Sequence, residues 1–584
     1  MSGLAALYGT DEPPEDRRRY QLGPVSFELC GGAVRYLSVN GNELVRRIAF
    51  LARDRDWGTL APTLGPVEED ADKKRLRLAI SMRFENGDAG LDTRLTLTLR
   101  PEGLDFEAEG IATGDFETNR AGFTILHPIT GQAGAPVTVV HSDGVAEEGT
   151  FPEAIAPWQP FMDIAAITHH VGGLSCTCRL EGDVFEMEDQ RQWGDASFKT
   201  YNRPLALPWP YRIGDGETIR QAVRLSWQEE KRAPTTVRSS PAMADAGFPE
   251  TAILVTPAHA RRAIERLDEI RAIGPQRLLC HVDASRGDLA GQFAALAKLQ
   301  DAAPGYLYDL EMIADFGDDP DADPAGPLRA YASAMRDAGL RPASVMVCPS
   351  VDRQSTPPGS AWPACPPLDL IHAAARKAFG APLMGGGMAS FFPEFNRKRP
   401  PVTHLDFVSH SLCPIVHDAG DLAVMETLEA VPQIARSARA IIGERPYRIG
   451  PATIAMRQNP YGARTIPNPE GRRVPMADDD PRHRARFGAA YVLGLAAALA
   501  PEGIAVWTPG ELYGPRGLVR DDGGWHPLTH VVAALAACAG VSVAQATVGE
   551  GLAKLVLGER RFTANLTDAA LRGLEPYGWS GEGT

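Results

Sequence analysis

The sequence predicts a multidomain protein of α/β plus all-β class. We read an N-terminal antiparallel β-sandwich over residues 1–245, a (β/α)8 TIM barrel over 246–540, and a small C-terminal β appendage over 541–584. Three observations predict this. The chain of 584 residues is longer than a single hydrophobic core usually supports. Up to about residue 240, turn signals separate short alternating segments and no helical periodicity interrupts them. Beyond that point, apolar runs of strand length alternate with helical patterns.

In the first region, "DTRLTLTLRPEGLDFEAEG" reads as two strands joined at Pro101, Glu102 and Gly103. Many strands without helices argue for an antiparallel sandwich. The stretch "KRAPTTVRSSPAMADAGFPE" then shifts to Pro, Ser, Ala and Thr and reads as a linker. Strands follow at "AILVTP" (252–257), "RLLCHVD" (277–283), "YLYDLEM" (306–312) and "ASVMVCP" (343–349). Four more lie at "PLMGGGM" (382–388), "HLDFVSH" (404–410), "RIGPATIAM" (448–456) and "GIAVWTP" (503–509). Helical periodicities such as "LAGQFAALAKLQDA" and "LDLIHAAARKAFG" separate them, while "FFPEFNRKRPPV" reads as an ordered loop. Strand and helix in alternation are what a closed parallel barrel requires. An open doubly wound sheet would more often show a Gly-rich first turn, and "VTPAHA" has none. The tail from Val541 returns to strand-like alternation and is expected to form a small β appendage, either separate or completing the N-terminal sandwich.

Composition excludes several partners. A net charge of -15 and a pI near 5.4 leave no basic excess to release counterions, so no nucleic acid is expected. The first thirty residues contain no basic segment followed by an apolar run, and no signal peptide is read there. The longest apolar run, Phe487 to Trp507, is divided by Pro501, Glu502 and Gly503, so neither piece spans a bilayer. Eight scattered cysteines, with Cys176 and Cys178 spaced C-x-C rather than C-x-x-C, fit a reducing cytoplasm. Nothing in the pattern specifies an oligomeric state.

A parallel barrel gathers its strand ends at one mouth, where polar residues distant in sequence meet. The candidates there are His281 and Asp283, Asp309 and Glu311, Glu394, Asn396 and Arg397, His410 and His417, Arg457, Trp507 and Glu511. Asp309 and Glu311 share one strand face, so two acids would repel unless one is protonated or a cation stands between them. The three glycines of "GGGMASFFPEFNR" either bring backbone N–H groups to a ligand or permit tight strand packing. His410 and His417 lie seven apart around Pro414, without metal-ligand spacing, and no metal or other cofactor is expected. In the N-terminal region, "FEMEDQRQWGDASFKTY" breaks the two-faced rhythm of a strand. Either Arg191 and Lys199 bind ligand oxygens while Trp193 stacks on a sugar ring, or Glu188 and Asp189 pair with Arg191 to join two domains.

The stretches "FEMEDQRQWGDASFKTY", "RPLALPWPY", "GGGMASFFPEFNR" and "SLCPIVHDAGDLAVMETLEA" resemble the D-apionate lactonases. These are bacterial enzymes of D-apiose catabolism that hydrolyse D-apionolactone to D-apionate. The resemblance runs through most of the chain and implies a small sugar lactone as substrate. Residue roles come from chemistry alone. Opening a cyclic ester needs an activated water, a stabilised oxyanion and a proton for the departing alkoxide. Glu394 or Glu311 would activate water, and His417 or the other carboxylate would protonate the ring oxygen. Arg397, Arg457 or glycine N–H groups would hold the oxyanion, with Asn396, His410, Asp309 and Trp507 lining the substrate. No G-x-S-x-G elbow occurs, which disfavours a serine hydrolase. A barrel glycoside hydrolase is the rival reading, although "VMVCPS" and "AMRQNP" place no carboxylate after strands four and seven. A carbohydrate-binding protein without turnover is the third.

Overall fold

A computed structural model describes residues 3–230, 247–356, 358–380, 382–461 and 464–583. The expected linker falls largely on 231–246, outside the described residues. The chain forms two compact units, one of Pro14–Ser240 with Pro357–Gly359, the other of Met1–Pro13, Pro241–Thr356 and Ser360–Thr584.

The first unit is antiparallel, as its alternation predicts. Ala89–Arg100 buries Leu91, Leu95, Leu97 and Leu99 and pairs with Gly103–Thr113 across the expected turn. Its main sheet is a single hydrogen-bonded ladder of 16 strands rather than two separate ones. The ladder folds back on itself around aromatics. Phe123 meets Phe50 of the neighbouring strand at 5.6 Å between ring centroids, and at 5.1 Å it meets Phe106, which comes from a strand well apart in the ladder. The backbone N–H of Phe123 also donates to Gln221 Oε1 at 2.9 Å.

In the second unit eight parallel strands close into a barrel. They are β1 (Glu250–Val255), β2 (Arg277–Asp283), β3 (Leu307–Ala314), β4 (Ser344–Pro349), β5 (Leu383–Phe391), β6 (Phe407–Leu412), β7 (Tyr447–Ala452) and β8 (Ile504–Trp507). The glycines of β5 serve closeness. A Cβ on Gly385 would strike the Phe407 ring of β6, and one on Gly387, at φ +112°, would strike Ser409 O. The segment read as a loop after β5 holds a short helix, Phe392–Lys398. Pro393 in its first turn, Glu394 beside it and Arg397 with Lys398 in its last turn are ordinary helix signals, overlooked because only two turns follow.

The apolar helix Arg486–Leu499 is buried at every position after Arg486. A helix apolar all round needs cover on all sides. One side faces Tyr8 of the N-terminal helix Gly3–Tyr8 and Tyr577 of the C-terminal tail, at 6.2 and 4.8 Å from the Phe487 ring. The tail is the expected small β appendage and does not extend the N-terminal sheet. It forms its own four-stranded antiparallel sheet: Val543–Gly549, Leu552–Leu557, Arg560–Asn565 and Trp579–Glu582. No described helix is long and apolar enough to cross a membrane.

Candidate active site

The barrel interior carries two polar layers, which answers the question of two acids on one face of β3. Asp309, nearer the start of the strand, is met by Arg277 of β2 and Arg448 of β7, each at 3.2 Å, and by the Ser344 hydroxyl at 2.5 Å. Arg277 also pairs with Glu250, which closes the floor with charge balance. Above it lies a cavity of about 20 Å³, lined among others by Asp309, Glu311, Ser344, Phe407 and Arg448, with room for about one water molecule.

Glu311 belongs to the upper layer. Arg457, just beyond β7, grips it with two donors: Nη1 to Oε1 at 2.6 Å and Nη2 to Oε2 at 3.1 Å. Nη2 also donates to Ala389 O at 2.9 Å and Ser411 Oγ at 3.3 Å, tying β5 and β6 to the same group. In the register of β2 and β3, His281 sits directly beside Glu311, with Nδ1 at 2.7 Å from Oε1. Burial alone would raise the Glu311 pKa, yet Arg457 and His281 outweigh it and hold the carboxyl at about 2. An ionised carboxylate can only accept. The proton of neutral His281 therefore stays on Nδ1, and Nε2 is left as a base. The His281 side chain is 18% exposed, so that nitrogen is reached from the barrel mouth.

The rim adds further charge. Asp283, two residues beyond His281, accepts from Arg353 at 2.7 Å, from Arg286 at 3.2 Å and from the Ser285 hydroxyl at 2.6 Å. Glu511, past the end of β8, is paired with Arg516 at 2.7 Å, and Arg516 is anchored on Met456 O and Asp478 O. Burial lowers the pKa of nearby His259, with Glu511 partly offsetting it.

Other predicted residues lie elsewhere. Glu394 and Arg397 meet each other at 3.2 Å, and both tie down the loop after β4. Glu394 accepts from Ser355 Oγ at 2.5 Å and from the Thr356 N–H at 3.1 Å, while Arg397 donates to Thr356 O at 3.0 Å. Asn396 is buried on the same helix. His410 faces away from the barrel interior, because Phe407, Ser409 and Ser411 alternate inward on β6. It packs between Phe392 and Phe395, bonds Tyr447 Oη at 2.6 Å, and burial pushes its pKa down to about 4. Trp507 is fully buried, with its indole N–H on Thr251 Oγ1 at 2.9 Å. His417 stands in the loop after β6 against Tyr461 Oη at 3.1 Å.

In the N-terminal unit, Arg191 is wholly buried and forked onto Asp189 at 2.6 and 2.7 Å, with further bonds to Pro152 O and Glu153 O. Glu188 takes both Lys199 at 2.6 Å and the Trp193 indole N–H at 2.7 Å. These pairings lie inside that unit. His281 was named at a strand end, like Asp283 and Glu511, without a role in the chemistry. Its signal was present: "RLLCHVD" and "YLYDLEM" place His281 and Glu311 at the same step once both strands are drawn in register. Among the described residues, no three His, Cys, Asp or Glu side chains cluster as metal ligands.

Fold and site together define a two-unit barrel protein with a histidine and carboxylate dyad at the C-terminal ends of its strands. The chain belongs to the D-apionate lactonase family. Its residues 5–230 match the family's N-terminal domain and 251–540 its TIM barrel domain. It is 42% identical over 553 residues to the D-apionate lactonase of Brucella anthropi, covering 91% of this chain and 90% of that protein. The protein is a hydrolase that opens a lactone. Two solved structures that align with the chain are far more remote. A β-mannanase from Streptomyces thermolilacinus aligns over 52% of this chain and 97% of its own, at 14% identity and a TM-score of 0.31. A GH36 α-galactosidase from Geobacillus stearothermophilus aligns over 94% of this chain and 91% of its own, at 10% identity and a TM-score of 0.28.

Proposed function

We propose that the protein hydrolyses D-apionolactone to D-apionate in the breakdown of D-apiose, and that His281 is the base. The reading is supported by one observation above others: a partly exposed imidazole whose inner nitrogen is held by Glu311, itself locked by Arg457. Water attacks the lactone carbonyl as His281 Nε2 takes its proton. The same imidazole, now cationic beside the Glu311 carboxylate, returns that proton to the ring oxygen as the C–O bond breaks. Glu311 orients and stabilises the imidazolium rather than removing a proton itself, because a carboxyl held at about 2 is a weak base near neutrality. Arg457 keeps it ionised. Glu394 and Arg397, in this reading, anchor the loop after β4.

The test is acid release from D-apionolactone by the wild-type protein and by His281→Ala, with aryl glycosides as a parallel substrate. Loss of lactone opening in the variant supports the assignment. Full activity without the imidazole removes it, and release of aryl alcohol in place of acid moves the protein to glycoside hydrolysis.

A further inference from the structure

The charged stretch 185–201 borders a group the reaction does not use. Arg120, on the strand Arg120–Pro128, is only 5% exposed. Among the described residues nothing accepts a hydrogen bond from its guanidinium or pairs with it, and its Nε is buried without an acceptor. Its guanidinium carbon lies 4.0 Å from the Tyr201 ring centroid and 5.4 Å from that of Trp57. Trp57 stands edge-on to the exposed Trp209 at 5.3 Å. Lys199 lies over the ring of the same tyrosine, at 5.0 Å from its centroid, with its own charge offset by Glu188.

We propose that this cluster is an anion site that takes the carboxylate of a small polyhydroxy acid. A buried guanidinium left without a counter-charge is costly, and one planar bidentate acceptor would satisfy it. Lys199 is offset by Glu188, and the buried Glu186 carboxylate accepts from Tyr201 Oη at 2.5 Å beside the same ring, so the cluster has no net positive excess and tolerates a monoanionic carboxylate better than a phosphate dianion. A neutral lactone carries no charge for Arg120, so the site discriminates acid from ester. The choice of a polyhydroxy acid rests on the lactone-opening reading above; the anion site itself does not.

The experiment titrates D-apionate, D-apionolactone and inorganic phosphate into the full-length protein, followed by tryptophan fluorescence and calorimetry. The expected result is saturable binding of the acid that survives in His281→Ala and weakens about tenfold or more in Arg120→Gln. Lactone and phosphate are expected to bind at least about tenfold more weakly than the acid. Arg120→Lys, which keeps the charge without the fork, covers the case in which the glutamine variant does not fold, and is expected to weaken binding several-fold. Unchanged affinity in the folded Arg120 variant, loss of binding in His281→Ala, or phosphate binding as tightly as the acid would each overturn the proposal. A wild-type protein that fails to open the lactone yet binds the acid through Arg120 would sink the catalytic reading and leave this one standing.

Discussion

Glu311 and Glu394 are both 2% exposed, both stand at the C-terminal side of the barrel strands, and both are bonded to an arginine. They differ in what else they touch. Glu311 holds an imidazole that is reached from the mouth. Glu394 holds a serine hydroxyl and a backbone N–H of one loop. Burial and an ion pair are therefore shared by a group poised for proton transfer and by a group that pins chain. A mobile proton is what separates the two, and it resides on the neighbour rather than on the carboxylate.

The largest effect that would break this contrast is at His281. His281→Ala is expected to lower kcat by about 10²- to 10⁴-fold, the usual worth of a general acid and base. Its thermal midpoint should move little, since the side chain is partly exposed. Steady-state kinetics with calorimetry on the same sample decides it. An equal loss in Glu394→Gln would erase the distinction drawn here.

Next comes the pair beneath. Glu311→Ala leaves the Arg457 guanidinium buried without its counter-charge, which is expected to cost about 3–5 kcal/mol of stability. Glu311→Gln retains shape and should cost less, while still losing activity because the amide no longer stabilises an imidazolium. Because the carboxyl is held at about 2 when folded, against a reference of 4.5, its contribution is complete above pH 4.5 and fades as pH falls through 2. Activity lost between pH 4.5 and 7 is thus not a titration of Glu311. Chemical denaturation of the two variants at neutral pH would show whether the charge or only the shape is needed.

The legible and illegible parts of the chain divide along a physical line. Period-two alternation and strand-helix alternation are properties of consecutive residues, so the antiparallel unit and the closed barrel could be read directly. Arg457 could be named as a strand-end cation, but not as the partner of Glu311, because 146 positions separate them. His410 looked available because "VSHSL" places it at a strand end; whether it faces inward or outward depends on register, and it faces Phe392 and Phe395. The glycines of β5 fitted two readings equally until the Phe407 ring was seen filling the space a side chain would need.

A smaller effect concerns pH and three buried histidines. Burial lowers His410, His372 and His169 each to about 4 from a reference of 6.5. The unfolded chain then binds more protons than the folded one below pH 6.5. Each contributes stability that is present above 6.5 and is lost progressively as pH falls from 6.5 to about 4, with roughly 2 kcal/mol per residue lost between pH 7 and 5. Thermal unfolding at these two pH values measures it. His410→Phe should flatten the dependence by one residue's share if it folds, whereas an unchanged slope would mean that His410 is protonated in place.

The smallest expected effect bears most directly on the opening contrast. Glu394→Gln keeps the acceptor toward Thr356 N–H and Ser355 but removes the charge facing Arg397, whose other bonds to Thr356 O at 3.0 Å and Ser355 Oγ at 3.1 Å remain. Glu394 Oε2 has no bond among the described residues, so an amide nitrogen placed there gives up nothing that the carboxylate had. The expected loss is about 1–3 kcal/mol, with kcat within about twofold of wild type. If stability holds while kcat collapses, Glu394 rather than the His281–Glu311 pair governs proton transfer, and the loop after β4 is part of the reacting surface.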